Sequence, residues 1–126
     1  MGMEQKANGF QEKRRYSRIS ISNLVSCILY DENKKRINNG KGRVLNLSQN
    51  GALLETSKPL SGSYIVLGSM NLDGNIIKIK GTIANTRKAD KEGRYLTGIE
   101  FVGSREEKRK AVIAFIKIHN YLKYAT

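Results

Sequence analysis

The chain has 126 residues, 39% of them hydrophobic and 27% charged, a composition that predicts one soluble domain with an apolar core. A net charge of +12 favours an anionic partner: nucleic acid, a phosphorylated small molecule or an anionic membrane face. The single cysteine, Cys27, excludes an internal disulfide, and one cysteine with one histidine, His119, excludes a closed zinc site.

The N-terminal residues predict a flexible tail over 1–12, followed by a single domain over 13–126. Residues 1–18 are polar and lack the apolar core of a signal peptide, and no stretch of the chain is apolar for the length of a membrane span. We therefore expect a cytoplasmic protein without a membrane span. A dense basic patch, in which four cations surround Tyr16, begins the predicted domain: Lys13, Arg14, Arg15 and Arg18.

The middle of the chain predicts about six short antiparallel strands. Apolar residues alternate with polar ones from Ile19 to Leu29, which is typical of a half-buried strand. Residues 31–42 are rich in turn formers and predict a loop. Further strands are predicted at 44–47, from 52, at 64–72, 76–87 and 95–102, with turns at 59–62, 73–75 and 91–93.

The end of the chain predicts an amphipathic helix over about 105–124. Ser104 followed by Glu107 is a capping box, which marks the start of a helix. Apolar residues then recur at helical spacing, and we expect four of them to pack on the barrel: Val112, Phe115, Ile116 and Leu122. We assign His119, on the same helix, a structural role. About six antiparallel strands followed by one helix predict a mainly-β fold, either a small barrel or a closed roll, with the C-terminal helix covering an opening or edge.

Catalysis is disfavoured by the distribution of reactive residues. The serines have no histidine nearby in sequence and no G-x-S-x-G elbow. Five acidic residues fall in turns, where solvated carboxylates are usual: Asp31, Glu32, Asp73, Asp90 and Glu92. We therefore expect a binding protein rather than an enzyme, with no cofactor.

Two polar motifs predict a binding site for an anion. Arg14 and Arg18 form R-x-x-x-R, and two guanidinium forks can clamp phosphate oxygens or the O6 and N7 atoms of guanine. Asn46, Ser48 and Gly51 form N-x-S-x-x-G at a strand end. There an amide and a hydroxyl, two residues apart, can reach the polar edge of a base, and the glycine permits a close backbone approach.

These motifs, in this order and followed by L-T-G-I-E-F before a terminal helix, resemble the PilZ domain family from about Lys13 to Tyr124. The resemblance implies a split-barrel type of six-stranded barrel that binds the second messenger cyclic di-GMP. It assigns ligand contacts to Arg14, Arg18, Asn46, Ser48 and Gly51.

The resemblance also leaves particular points open. Asn46 stands where many members have Asp. Asn85 stands where many have an aromatic residue or arginine that stacks on a base of the ligand, so Arg87 or Arg15 is a candidate for that stacking role. The resemblance implies that the residue just before R-x-x-x-R influences how many ligand molecules bind. Here that residue is Lys13, a cation that offsets the repulsion between the phosphates of two stacked molecules. We therefore predict that two stacked ligand molecules bind. We further predict that ligand binding changes the conformation of the N-terminal arginine segment and signals to an unidentified effector protein.

Two alternatives remain at this stage. A basic barrel that binds RNA or single-stranded DNA would display aromatic residues on its strands, and the few aromatic residues here are scattered, so nucleic acid is disfavoured. A degenerate PilZ fold that binds only protein is disfavoured because both polar motifs are intact.

Overall fold

The structure is a computed structural model that describes residues 18–70 and 73–125, and the side chains as far as Lys123. Its six strands and one helix follow one another along the chain. In chain order they are β1 (Ile19–Tyr30), β2 (Arg36–Leu47), β3 (Gly51–Thr56), β4 (Tyr64–Met70), β5 (Ile76–Lys88), β6 (Tyr95–Val102) and α1 (Arg105–Ala125).

The six strands close into one antiparallel barrel, which confirms the predicted fold. The order around the barrel is β1-β2-β3-β6-β5-β4, and β4 pairs with β1 to complete the circle. Four tight connections join sequence neighbours, and Gly74, with φ of 85°, turns the chain between β4 and β5. The other two pairs, β3 with β6 and β1 with β4, join strands that are distant in sequence.

The core fills the barrel with the inward-facing residues of every strand. Alternation along β1 buries Val25, Cys27 and Leu29, while the residues between them face outward. Complete burial of a large apolar side chain contributes about 1.5–3 kcal/mol to stability. The residues with no measurable exposure therefore form the main anchor of the fold: Val44, Leu47, Leu54, Ile65, Leu67 and Phe115.

The first half of β2 corrects the prediction of a loop over 31–42. The strand begins at Arg36. Its first residues, 36–42, which we call the outer half of β2, pair with the C-terminal half of β1, with Leu29 opposite Asn38 and Val25 opposite Gly42. Residues 36–41 are exposed on both faces because the pairing of β2 with β3 begins only at Arg43. Without a buried face, nothing selects alternating apolar residues, so the sequence of this half reads as turn residues.

The helix α1 is fastened to β1 by its side chains and by its backbone. Phe115 is fully buried, and the amide of Asn23 donates a 2.8 Å hydrogen bond to the carbonyl oxygen of Phe115. Nδ1 of His119 accepts a 3.2 Å hydrogen bond from the backbone N–H of Ser22, which gives this histidine the structural contact expected of it. In the ranges 18–70 and 73–125, no helix is long and apolar enough to cross a membrane.

The two ends of α1 differ in how far the sequence predicted them. The capping box is confirmed, since Ser104 and Glu107 exchange hydrogen bonds of 2.8 and 3.1 Å. The expectation that Leu122 packs on the barrel is wrong, because its residue is 51% exposed. Leu122 lines a shallow surface groove with the exposed residues Leu24 and Met70.

Candidate ligand-binding site

The structure brings together one residue from each of the two polar motifs. Arg18 immediately precedes β1, and its Nη1 donates a 2.8 Å hydrogen bond to Oδ1 of Asn46 near the end of β2. The strand pairing explains the contact, because Ser20 lies opposite Asn46 in the register of β1 and β2. The arginine is exposed and the asparagine half-buried, so the pair lies at the barrel surface.

A β-bulge turns Asn46 onto the outer surface. The pairing of β2 with β3 passes from Val44–Leu54 to Asn46–Leu53, which leaves Leu45 as an extra residue. Without this bulge, Asn46 would share the inward face of Val44, which is fully buried. Bulges commonly re-aim side chains next to functional sites, and this one delivers a polar amide to the surface.

A second bulge does the same for Asn85. The pairing of β5 with β6 passes from Ile83–Ile99 to Asn85–Gly98, so Ala84 is the extra residue. The inward alternation of β5 through Ile79 and Ile83 is broken there, and Asn85 is exposed. The two bulges therefore turn the side chains of Asn46 and Asn85 from the interior to the outer surface of the barrel.

Four cross-strand partners form a continuous row on this surface, which we call the candidate face. Asn46 pairs with Leu53, Leu53 with Gly98, and Gly98 with Asn85. At a strand spacing of about 4.8 Å, the three steps from Asn46 to Asn85 span about 14 Å. The row places an amide at each end of an apolar, low-relief floor.

Gly98 keeps the floor of the candidate face low. A methyl group built there would lie 3.5 Å from Oδ1 of Asn85, an ordinary contact, so packing does not demand a glycine at this position. The missing side chain instead leaves open surface between Leu53 and Asn85. A planar ligand could lie against the backbone at this point.

Arginines dominate the charge beside the candidate face. A second row of cross-strand partners lies beside the candidate face on the same four strands. In it, Arg43 pairs with Glu55, Glu55 with Leu96, and Leu96 with Arg87. Glu55 forms an ion pair with Arg94, at 3.1 Å. Arg43 donates a 2.6 Å hydrogen bond to Oγ of Ser22. Among the residues that the structure describes, Arg18, Arg43 and Arg87 form no ion pair, so this surface retains positive charge.

Ser48 and Gly51 shape the turn that follows Asn46. The strand β2 ends at Leu47, so strand alternation does not place the hydroxyl of Ser48 beside Asn46. The backbone N–H and the hydroxyl of Ser48 both donate to the carbonyl oxygen of Gly51, at 2.8 and 3.4 Å. A side chain at Gly51 would collide with the carbonyl oxygen of Ile99, so the close approach of β3 to β6 requires the glycine.

Three of the predicted site residues, Lys13, Arg14 and Arg15, lie outside the described residues. Of the other predicted positions, Arg18, Asn46, Asn85 and Arg87 converge on one side of the barrel, and Ser48 and Gly51 form the adjoining turn.

Arg43 and Leu53 were missed by sequence reasoning. Arg43 lies three residues before Asn46, a spacing that would put the two on opposite faces of a regular strand. The bulge at Leu45 puts them on the same face, and nothing in the sequence marks that bulge.

The described residues do not offer a metal site. No group of three or more histidine, cysteine, aspartate or glutamate side chains comes together within 18–70 and 73–125. Cys27 is buried, and burial raises the pKa of its thiol to about 11, which keeps it protonated and unreactive at neutral pH.

Comparisons with known proteins agree with this architecture. A family model described as the PilZ domain matches residues 12–117. No curated protein sequence matches the chain.

Solved structures of similar fold come from several bacteria. The PilZ domain of YcgR from Escherichia coli, solved with c-di-GMP, is 17% identical with a TM-score of 0.60, over 90% of this chain and 96% of that one. The K. pneumonia MrkH complex with c-di-GMP is 20% identical, with a TM-score of 0.58 over 90% of this chain and 55% of that one.

The Bacillus subtilis inhibitor of motility MotI/DgrA is 15% identical, with a TM-score of 0.58 over 83% of this chain and 50% of that one. The chain thus spans about half the length of the MrkH and MotI chains. At these identities the likeness establishes the fold.

Proposed function

Because the chain belongs to the PilZ domain family, we propose that it is a receptor that binds cyclic di-GMP on the candidate face and signals to a partner protein. The observation that supports this best is the hydrogen bond between Arg18 and Asn46, which joins the two polar motifs in space. The structures of YcgR and MrkH with c-di-GMP add support from the same fold.

The chemistry of the candidate face suits this ligand. Cyclic di-GMP carries two phosphate charges and two guanine bases. Arginine forks pair with phosphate oxygens or with O6 and N7 of guanine, and Arg18, Arg43 and Arg87 all lie at this surface. The floor at Leu53 and Gly98 gives a base a flat apolar area to lie on. In this proposal, the amides of Asn46 and Asn85 pair with base edges at the two ends of the row.

The motif residues divide into two roles. Arg14 and Arg18 hold guanine and phosphate groups, as the family motif implies, and Asn46 pairs with a guanine. Ser48 and Gly51 act mainly by shaping the turn, since the hydroxyl of Ser48 is engaged with the carbonyl of Gly51. The same hydroxyl accepts from the backbone N–H of Asn50 at 3.3 Å, so a ligand contact by Ser48 would use the second lone pair of its oxygen.

We propose that the chain binds two stacked cyclic di-GMP molecules. Two such molecules bring four phosphate charges together, and these repel one another unless cations lie close by. Arg43 and Arg87 supply cations on the described surface, and Lys13 and Arg15 would add to them. A calorimetric stoichiometry of two that falls to one in Lys13→Ala supports this arrangement, and a stoichiometry of one in the parent chain contradicts it.

The proposal describes a cytoplasmic receptor without catalytic activity. Signalling then requires a change that a partner protein can detect. We propose that the arginine segment around R-x-x-x-R changes conformation when it pairs with the ligand, because the same cations that repel one another pair with phosphate. Saturating cyclic di-GMP should slow tryptic cleavage after Lys13, Arg14, Arg15 and Arg18, and unchanged cleavage rates would exclude this switch even if the ligand binds.

Titration calorimetry tests the binding proposal. The full chain is titrated with cyclic di-GMP, GTP and cyclic di-AMP, and Arg18→Ala is titrated alongside. Selective binding of cyclic di-GMP that weakens in Arg18→Ala is the expected result. No binding of cyclic di-GMP, or binding that Arg18→Ala leaves unchanged, would overturn the proposal. The alternative of an RNA- or single-stranded DNA-binding barrel predicts instead that Arg18→Ala weakens oligonucleotide binding at this surface.

A further inference from the structure

A groove of about 400 Å³ opens on the outer surface of the barrel, on the side that β1, β4 and β5 share. Tyr30 and Tyr64 are direct cross-strand partners, so their rings stand side by side on one face. Lys80 lies on the neighbouring strand, opposite both Val66 and Val102. We call this the tyrosine groove, and define it by its outward-facing residues: Tyr30, Lys34, Tyr64, Val66, Lys80 and Val102.

The polar groups around the tyrosine groove lack partners within the described part of the chain. Neither tyrosine hydroxyl is hydrogen-bonded there, and neither Lys34 nor Lys80 is within ion-pair distance of a carboxylate. Of the two lysines, Lys80 acts on Glu107: the pKa of this carboxyl is lowered first by hydrogen bonds from the backbone and side chain of Ser104, and least by the charge of Lys80. Two ring faces and two ammonium groups thus border an open, largely apolar space.

The backbone at Lys34 is unusual. Its φ of 65° lies in the left-handed region, which glycine adopts more readily than lysine. The turn is held by Asp31, whose carbonyl accepts from the N–H of Lys34 at 2.9 Å and whose side chain accepts from Asn33 and Lys35 at 2.9 and 2.8 Å. Lysine at this position carries a conformational cost, and it provides a cation at the groove.

The tyrosine groove is separate from the candidate face. Tyr30 is the last residue of β1, whereas Ser20, which pairs with Asn46, is the second. The two residues are ten positions apart on an extended strand, which corresponds to about 33 Å along the strand. Arg18 and Asn46 therefore lie at the opposite end of β1 from Tyr30. Along β5 the two sites are closer, because Thr82, which pairs with Tyr64, is three residues from Asn85.

We propose that the tyrosine groove binds a nucleotide, either free or as part of a single strand. Aromatic side chains beside cations are the usual means of binding nucleotides without sequence preference, since every base has a planar face and every nucleotide a negative charge. Tyr30 and Tyr64 stack with the base, and Lys34 and Lys80 pair with the phosphate. A groove of about 400 Å³ falls in the size range of small-ligand sites.

The test follows backbone amide shifts of the ¹⁵N-labelled full chain by NMR. The probes are adenosine monophosphate, hexathymidylate and uncharged adenosine. Binding is expected to shift the amides of Tyr30, Lys34 and Tyr64, with adenosine binding more weakly than its monophosphate. Tighter binding of hexathymidylate would identify a single strand as the source, and tighter binding of the monophosphate a free nucleotide.

Variants assign the binding to the groove. Tyr64→Leu removes a ring but keeps an apolar side chain, and Lys34→Gly removes a cation while relieving the backbone. Loss of a stacked base weakens binding by about fivefold or more, which is the change expected for Tyr64→Leu. Lys34→Gly should weaken binding in a salt-dependent way. Tyr95→Leu, which changes a single half-buried tyrosine outside the groove, and Arg18→Ala should leave binding unchanged.

Three results would overturn the proposal. They are no amide shifts at millimolar probe, shifts that neither Tyr64→Leu nor Lys34→Gly reduces, and shifts that Arg18→Ala abolishes.

Discussion

Nη1 of Arg18 lies 2.8 Å from Oδ1 of Asn46, a residue 28 positions further along the chain. The bond fixes one guanidinium against the edge of the barrel, because Asn46 is itself held between β1 and β3. Fixing a long side chain before a ligand arrives reduces the entropy that binding must overcome. The affinity of the candidate face for cyclic di-GMP should therefore depend strongly on Arg18.

Replacing Arg18 by alanine should weaken cyclic di-GMP binding by about tenfold to over a hundredfold. A hydrogen bond to a charged group contributes about 1.5–3 kcal/mol, which corresponds to that range. Arg18→Lys should recover only part of the loss, because an ammonium lacks the planar fork. The matched control is Arg36→Ala, which removes an exposed arginine from the outer half of β2. Equal losses in both alanine variants would mean that only net charge matters.

Ser48→Ala should act differently in the same titrations. Its hydroxyl bonds are neutral and lie within the turn, so their loss should destabilise the protein by about 0.5–1.5 kcal/mol. The affinity for cyclic di-GMP should fall less than in Arg18→Ala. A loss of affinity as large as that of Arg18→Ala, with an unchanged melting temperature, would show that Ser48 contacts the ligand directly.

Two glycines provide a matched pair of substitutions. Gly98→Val places a side chain on the floor of the candidate face, where the three atoms nearest to the new Cβ all belong to the amide of Asn85, at 3.5 to 3.8 Å. The variant should keep its melting temperature, since valine favours strands, and lose cyclic di-GMP affinity by tenfold or more. Gly51→Ala should instead lower the melting temperature, because the new methyl group collides with the carbonyl oxygen of Ile99. Normal binding by Gly98→Val would place the ligand elsewhere.

The sequence predicted those parts of the fold in which burial imposes a period. Alternation along β1 and helical spacing along α1 reflect burial of one face, so the barrel, the helix and its capping box were all predictable. The outer half of β2 was missed because residues 36–41 have no buried face. Leu122 was misassigned because helical spacing marks the apolar face of a helix and does not reveal how deeply each residue of that face is buried.

The candidate site was predictable only as motifs. Strand alternation assigns Asn46 to the face of Val44 and Asn85 to the face of Ile83, and both assignments are reversed by bulges at Leu45 and Ala84. A bulge depends on the pairing of two strands, which the sequence of one strand does not encode.

Phe115→Ala should destabilise the protein by about 3–5 kcal/mol, because the side chain is fully buried where α1 covers the barrel. Leu122→Ala is the control on the same helix, and its 51% exposure predicts a change below about 1 kcal/mol. Urea unfolding of both variants, followed by circular dichroism, measures the difference. Similar free energies of unfolding for the two variants would mean that α1 is not docked through Phe115.

The thiol of Cys27 should resist alkylation in the native protein at pH 8. Burial raises its pKa from 9.0 to about 11, so little thiolate is present and access is closed. The unfolded chain loses this proton at lower pH than the folded one, so the free energy of unfolding should decrease as the pH rises from about 9 to about 11. Cys27→Ser should reduce this alkaline decrease. Rapid labelling by iodoacetamide under native conditions would contradict the burial of the thiol.

The most direct measurement is a map of backbone amide shifts in the ¹⁵N-labelled full chain during titration with cyclic di-GMP. The shifts should concentrate on the row of Asn46, Leu53, Gly98 and Asn85, and Arg18→Ala should reduce them at equal ligand concentration. Absence of shifts at saturating ligand, or shifts confined to other surfaces of the barrel, would contradict the assignment of the candidate face as a cyclic di-GMP receptor site.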